Sequence, residues 1–342
     1  MTSRLFFALL SLPALCPTAG ARGESGTGMA AHQAAESPGA GAVFRKETVR
    51  DRLWVWAHEA GVYNGAWGLP GDSRITPVDG AHYLGVPNII FIRYEGKPEP
   101  PFNQYAIPFR SLKRVNWSIT GAGGATSAEE RAEVLRLAAS MPNLTGVFMD
   151  DFFHLAAAQA EASSSYPDRD ARNILTDENK TGAAPDPGSL RVEQLREVRD
   201  QLRADGRRVD LGVTLYTHQL DPRVLPHLEL CDVISLWTWQ SENLTDLGKN
   251  LAKLEGMAPG KRIWLGCYMW DFGNRKPMPL KRMQRQCELG LKWLRESRID
   301  GMIFLAANIC DLDLETVEWT RQWIAEVGAE PLTARRDRDS AP

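Results

Sequence analysis

Leu144-Thr145-Gly146-Val147-Phe148-Met149-Asp150-Asp151-Phe152-Phe153-His154 is the stretch on which the reading turns. Six residues, nearly all apolar, run straight into two adjacent carboxylates, and aromatic residues follow. A continuous apolar run of this length is the mark of a strand buried on both faces. Charges without partners are costly to bury. The strand therefore has to open onto a polar cleft at its carboxyl end.

Seven further runs of the same kind are rich in Val, Ile, Trp and Tyr: 53–58, 88–95, 114–119, 209–218, 232–240, 262–270 and 301–308. Together with 145–150 they make eight strands. Between them lie amphipathic stretches at 127–140, 189–204, 244–257, 279–297 and 314–327. The first of these opens on Ser127-Ala128-Glu129-Glu130, an N-cap followed by acids in the first turn. In the second, Leu190, Val192, Leu195, Val198 and Leu202 recur at helical spacing. Strands alternating with helices imply a parallel sheet. Eight units predict an α/β protein closed as a single (β/α)8 TIM barrel, and no Gly-x-Gly-x-x-Gly follows an early strand. The segments after strands one and two read as loops. A long connection, 154–187, follows strand four and reads as a wall or lid beside the Asp pair.

The chain has 342 residues, of which 43% are hydrophobic, and a net charge of −3. Barrels of about 250 residues are single domains, so residues 46–330 are assigned to one. The near-neutral charge lacks the basic face of a nucleic-acid binder. At the N-terminus, Arg4, the apolar stretch 5–16 and Ala19-Gly20-Ala21 form a signal-peptide pattern. The expectation is cleavage after Ala21 and a secreted or periplasmic protein. Leu15 is bulky for a lipobox at Cys16, so a lipoprotein is the lesser reading. Residues 22–45 read as a flexible leader and 331–342 as a loose tail. No later stretch is long and apolar enough to span a membrane. Cys231, Cys267, Cys287 and Cys310 read as buried thiols, although an exported protein permits disulfides.

In such a barrel the active site lies at the carboxyl ends of the strands. Side chains alternate along a strand. This places Trp54, Trp56 and His58 inward on strand one; Phe91, Arg93 and Glu95 on strand two; Asn116 and Ser118, with Trp117 as the alternative, on strand three. Strand four offers Gly146, Phe148 and Asp150, with Asp151 pointing sideways. Strands five to eight offer Gly212, Thr214, Tyr216 and His218; Ser235, Trp237 and Trp239; Gly266, Tyr268 and Trp270; and Ala306 and Asn308.

The chain holds 11 tryptophans, many near strand ends. Trp56, Trp117, Trp237, Trp239 and Trp270 form candidate platforms for the C–H faces of sugars. His58, Arg93, Glu95, Tyr216, His218, Tyr268 and Asn308 are candidate partners for hydroxyls. Glycoside hydrolysis normally uses two carboxyl groups. Asp150 is the first candidate, and Glu242 and Asp271, after strands six and seven, lead for the second. Asp151 raises the pKa of its neighbour by like-charge proximity.

With these residues in place, the chain resembles secreted (β/α)8 glycoside hydrolases. The strand also resembles the chitinase-type pattern D-x-x-D-x-D-x-E at Asp150, with Phe148 and Phe152 at the places of the middle Asp and the final Glu. It is similar too to α-galactosidase-type barrels, in which a strand-four Asp is the nucleophile and an acid follows strand six; Asp150 and Glu242 match those places. The resemblance implies hydrolysis of an oligo- or polysaccharide without a cofactor. Two other readings stay open: a metal-dependent hydrolase using His58, His218, Asp150 and Asp151, and a barrel that binds glycan without cleaving it. No Gly-x-Ser-x-Gly elbow suggests a Ser nucleophile. Gly121-Ala122-Gly123-Gly124 reads as a flexible loop.

Overall fold

Residues 46–155, 186–204 and 206–332 are described in a computed structural model. The expected signal (1–21) and leader (22–45), most of the connection after strand four and residues 333–342 lie outside the described residues.

The apolar runs form eight parallel strands: β1 (Leu53–Ala57), β2 (Asn88–Phe91), β3 (Arg114–Thr120), β4 (Leu144–Met149), β5 (Asp210–Tyr216), β6 (Val233–Trp237), β7 (Arg262–Tyr268) and β8 (Gly301–Leu305). Each pairs with the next, and β8 closes on β1, giving the (β/α)8 barrel. Every residue of β1, β2, β6 and β8 is buried. Burial on both faces is why these strands read as unbroken apolar runs.

Helices α1 (Pro77–Leu84), α2 (Ala128–Ser140), α3 (Val192–Gln201), α4 (Leu225–Leu228), α5 (Leu247–Met257), α6 (Leu280–Arg295) and α7 (Glu315–Val327) lie between or after the strands. Ser127 caps α2, its hydroxyl accepting from the Glu130 N–H at 3.1 Å. The 58–76 region is loop, but α1 follows it, started by the Thr76 cap and Pro77. Between β2 and β3 there is only a single turn, Pro108–Ser111. Prolines 98, 100, 101 and 108 remove the N–H groups that a helix would need there. Pro331 pairs with Thr48, and the Leu332 N–H donates to Glu47 O, so the start of the expected tail is tied to the strand that enters the barrel.

The barrel interior is a stack of rings. Trp54 lies on Trp264 at 4.5 Å between centroids, and Phe148 lies 6.2 Å beyond. Trp56 meets Phe148 and Trp237 edge-on above them. Gly212 and Gly266 make room: an added Cβ would collide with the Phe148 ring at the first and with the Trp237 ring at the second. Each of these two large rings lies over a glycine of the neighbouring strand, which lets the rings fill the interior.

The register corrects the expected side-chain directions at two strands. Trp54 and Trp56 pair with Asn88 and Ile90, so Ile90 faces inward and Phe91 outward. Trp54 and Trp56 pair on their other side with Ile303 and Leu305, not with residues continuing to Ala306 and Asn308. On the remaining strands the expected parity matches the register. Cys231, Cys267, Cys287 and Cys310 are all buried free thiols.

Candidate active site

Asp150 follows directly on β4, at the carboxyl end of the barrel. Its backbone is clamped to β3: its N–H donates to Thr120 O at 3.2 Å, and the Thr120 hydroxyl donates to Asp150 O at 3.1 Å. Only 6% of the residue is exposed. Burial raises the Asp150 pKa well above the ordinary carboxylate value, and the Asp151 charge raises it further. The Asp151 backbone and the nearby Thr214 hydroxyl partly offset the shift. That hydroxyl makes no hydrogen bond of good geometry. Asp150 is thus a carboxylic acid that keeps its proton when ordinary carboxylates have lost theirs.

Asp151 turns away from the strand axis in the left-handed region, at φ 44°. Its Oδ1 accepts from the Tyr216 hydroxyl at 2.7 Å and its Oδ2 from the Gly123 N–H at 2.9 Å. Both oxygens therefore have hydrogen-bond donors. The Gly123 amide is aimed by a turn in which Gly123 and Gly124 both take positive φ. A Cβ at Gly124 would stand 2.7 Å from Asp151 O. The 121–124 segment is therefore a shaped seat for Asp151, where the sequence suggested only a flexible loop.

Asp150 opens into a cleft lined mainly by rings. Its lining includes Trp56, Trp237 and Leu305 from the barrel strands, together with Tyr216, Trp239, Tyr268, Tyr63, Trp67, Tyr94 and Phe272. Burial above all raises the pKa of the Tyr63 and Tyr268 hydroxyls well above the ordinary tyrosine value.

His58 also lines the cleft, and its hydrogen bonds settle its state. Trp56 Nε1–H donates to His58 Nε2 at 3.2 Å, and His58 Nδ1 meets Ile92 O at 2.9 Å. An indole N–H only donates and a carbonyl only accepts, so Nδ1 carries the proton and Nε2 does not. Burial lowers its pKa to about 4. Both ring nitrogens are committed, which leaves neither as a metal ligand. His218 sits exposed at the rim, stacked on Tyr216 at 5.5 Å. Among the described residues, no three His, Cys, Asp or Glu side chains gather as a metal site.

The structure brings Asp150, Asp151, His58, Tyr216, Trp237, Trp239 and Tyr268 together, with His218 at the rim. It does not bring the other candidates to the cleft. Trp117 faces outward among Phe91, Phe102 and Phe109. Arg93 pairs with Glu130 of α2 at 2.6 Å, and Glu95 is exposed in the turn that follows. Asn308 joins two strand ends, accepting from the His58 N–H at 2.8 Å and donating to Glu59 O at 2.8 Å. Trp270 donates to Trp67 O and so supports the wall from behind.

Of the two candidate second acids, Glu242 is exposed and lies outside the cleft lining. It accepts from Asn274 at 2.8 Å, near Lys276 and Arg282, and its pKa is lowered. Asp271 is buried but caps a turn: Oδ2 accepts from the Ser241 hydroxyl at 2.5 Å, and both oxygens accept from Asn274. Tyr63, Trp67, Tyr94 and Phe272 were not among the candidates, since loops and turns carry them. The sequence signal for the first two was Gly61-Val62-Tyr63-Asn64-Gly65-Ala66-Trp67-Gly68, aromatics among glycines just after a strand end.

No protein-family model matches the chain, and no curated protein matches it. Solved structures do. A xylanase–α-amylase inhibitor protein in complex with trehalose is 15% identical, over 81% of this chain and 98% of that one, with a TM-score of 0.46. The PgaB glycoside hydrolase domain from Bordetella bronchiseptica is 13% identical, over 81% and 99%, with a TM-score of 0.46. The catalytic domain of a GH18 chitinase from the fern Peteris ryukyuensis is 11% identical, over 81% and 100%, with a TM-score of 0.45. An aldolase and a tryptophan synthase α-subunit stand among the same matches.

Proposed function

We propose that this protein is an exported glycoside hydrolase in which Asp150 is the general acid. The observation that carries the reading is the buried carboxyl of Asp150, its pKa raised by burial, facing a ring-lined cleft with the hydrogen-bonded carboxylate of Asp151 beside it. A glycosidic oxygen leaves poorly unless it is protonated, and an acid with a raised pKa supplies that proton near neutral pH. Positive charge develops on the sugar ring in the transition state. The Asp151 carboxylate, held by Tyr216 and Gly123, stabilises that charge without rearranging. Trp and Tyr rings hold the sugar by its C–H faces. The substrate class is an oligo- or polysaccharide.

The test is release of sugar from a panel of polysaccharides and aryl glycosides by the full chain and by Asp150→Asn. Release by the wild type alone supports the reading. Equal release by both proteins, or none by either when both are folded, contradicts it. One observation favours a second reading, a barrel that binds glycan without cleaving it: Asp150 is the single carboxylate lining the cleft among the described residues. Glycan binding without release by the wild type would establish that reading.

A further inference from the structure

The balance of charge around the cleft points to a narrower class of sugar. Nine of its 14 lining residues are Trp, Tyr or Phe. Several meet near right angles, as the walls of a box do: Trp67 with Trp239 at 79°, Tyr216 with Trp239 at 85°, and Tyr63 with Tyr94 at 85°. Behind this box, bonded to the hydroxyl of its Tyr216 wall, stands the carboxylate of Asp151. No Lys or Arg lines the box among the described residues. Arg93 is turned onto Glu130, and His58 has both ring nitrogens committed. The Trp67 ring already carries one cation, the Arg275 guanidinium at 5.8 Å from its centroid, and Arg275 is not part of the lining.

We propose that the cleft selects glycosides carrying a free primary ammonium, that is, amino sugars with an unacetylated amine, with the ammonium set against the Trp and Tyr faces near Asp151. Ring quadrupoles attract cations, most strongly on Trp and then Tyr, and the attraction grows when water is excluded. The carboxylate adds a charge of opposite sign. A sugar acid, by contrast, meets Asp151 as a like charge with no lining cation to offset it. This proposal names the substrate of the glycosidase reading and rests on it.

The test uses the full chain with Asp150→Asn, which is neutral like the protonated acid and does not turn substrate over. The probes are the α- and β-methyl glycosides of glucosamine, N-acetylglucosamine, glucose and glucuronic acid, which carry no linkage requirement. Binding is read by emission of the lining tryptophans and by saturation-transfer NMR. The glucosaminide should bind about tenfold tighter than the glucoside, with the glucuronide weakest. Adding Asp151→Asn should remove most of that advantage; Asn tolerates the same positive φ, so the backbone is kept. Equal affinities, a reversed order, or an advantage that survives Asp151→Asn would overturn the proposal. If no methyl glycoside binds while the wild type releases neutral sugars, this proposal fails and the glycosidase reading stands. If nothing binds and nothing is released, both fail.

Discussion

Replacing Asp150 by Asn should change how stability depends on pH, whatever the substrate proves to be. The unfolded chain ionises this carboxyl near its ordinary value of 3.8, whereas in the fold burial and Asp151 push it well above. A raised folded pKa means that the folded state holds one more proton than the unfolded state between the two values. Its stabilising share is complete below pH 3.8 and is lost as pH rises through the window up to the folded value. The loss runs at about 1.4 kcal/mol per pH unit, the linkage slope for one proton. Asn has nothing to titrate. Asp150→Asn should therefore gain on the wild type by about 1.4 kcal/mol for each unit above pH 4, until the folded pKa is reached. Urea unfolding of both proteins at half-unit steps from about pH 4.5 to 7.5 measures this difference. Other titrating groups are common to both proteins and largely cancel. Because Asp151 interacts with Asp150, the slope counts protons on the pair. A stability difference independent of pH would refute the claim that the pair retains a proton.

His58 gives the opposite slope. Its folded pKa of about 4 lies below the ordinary 6.5, so the unfolded state takes the proton first as pH falls. About 3 kcal/mol of stability should be lost between pH 6.5 and 4 in the wild type and spared in His58→Gln; parallel unfolding curves would contradict this. Trp239→Ala, at the half-buried wall of the cleft, should raise KM about tenfold and change kcat little; an unchanged KM would place the ring outside binding. Gly266→Ala drives a Cβ into the Trp237 ring, and should cost about 1–3 kcal/mol in unfolding free energy; an unchanged Tm would show that the lining of the cleft yields.

The barrel was legible in the sequence because all eight strands are buried on both faces, which leaves little room for polar residues within a run. Asp150 was legible for the related reason that polar groups then mark where a strand ends. Strands two and eight were misread because their apolar runs outlast their strands. β2 stops at Phe91 and β8 at Leu305, and alternation carried past those points has no physical basis. Trp117 misled because a large ring suits the outer helix layer as well as the mouth. Tyr63, Trp67, Tyr94 and Phe272 stand on loops and turns, where no period predicts direction. The seat of Asp151 on the Gly123 amide depends on backbone dihedrals, and glycines signal only that such dihedrals are available.

The role of Asp150 as proton donor is tested most directly by comparing wild type and Asp150→Asn on aryl glycosides of one sugar that differ in leaving group. A poor leaving group such as phenol needs the proton, and its kcat/KM should fall about 10²–10⁴-fold in the variant. A dinitrophenolate leaves without one and should lose far less. Equal losses on both substrates, or near-full activity of the variant on the phenyl glycoside, would contradict the assignment of Asp150 as the acid.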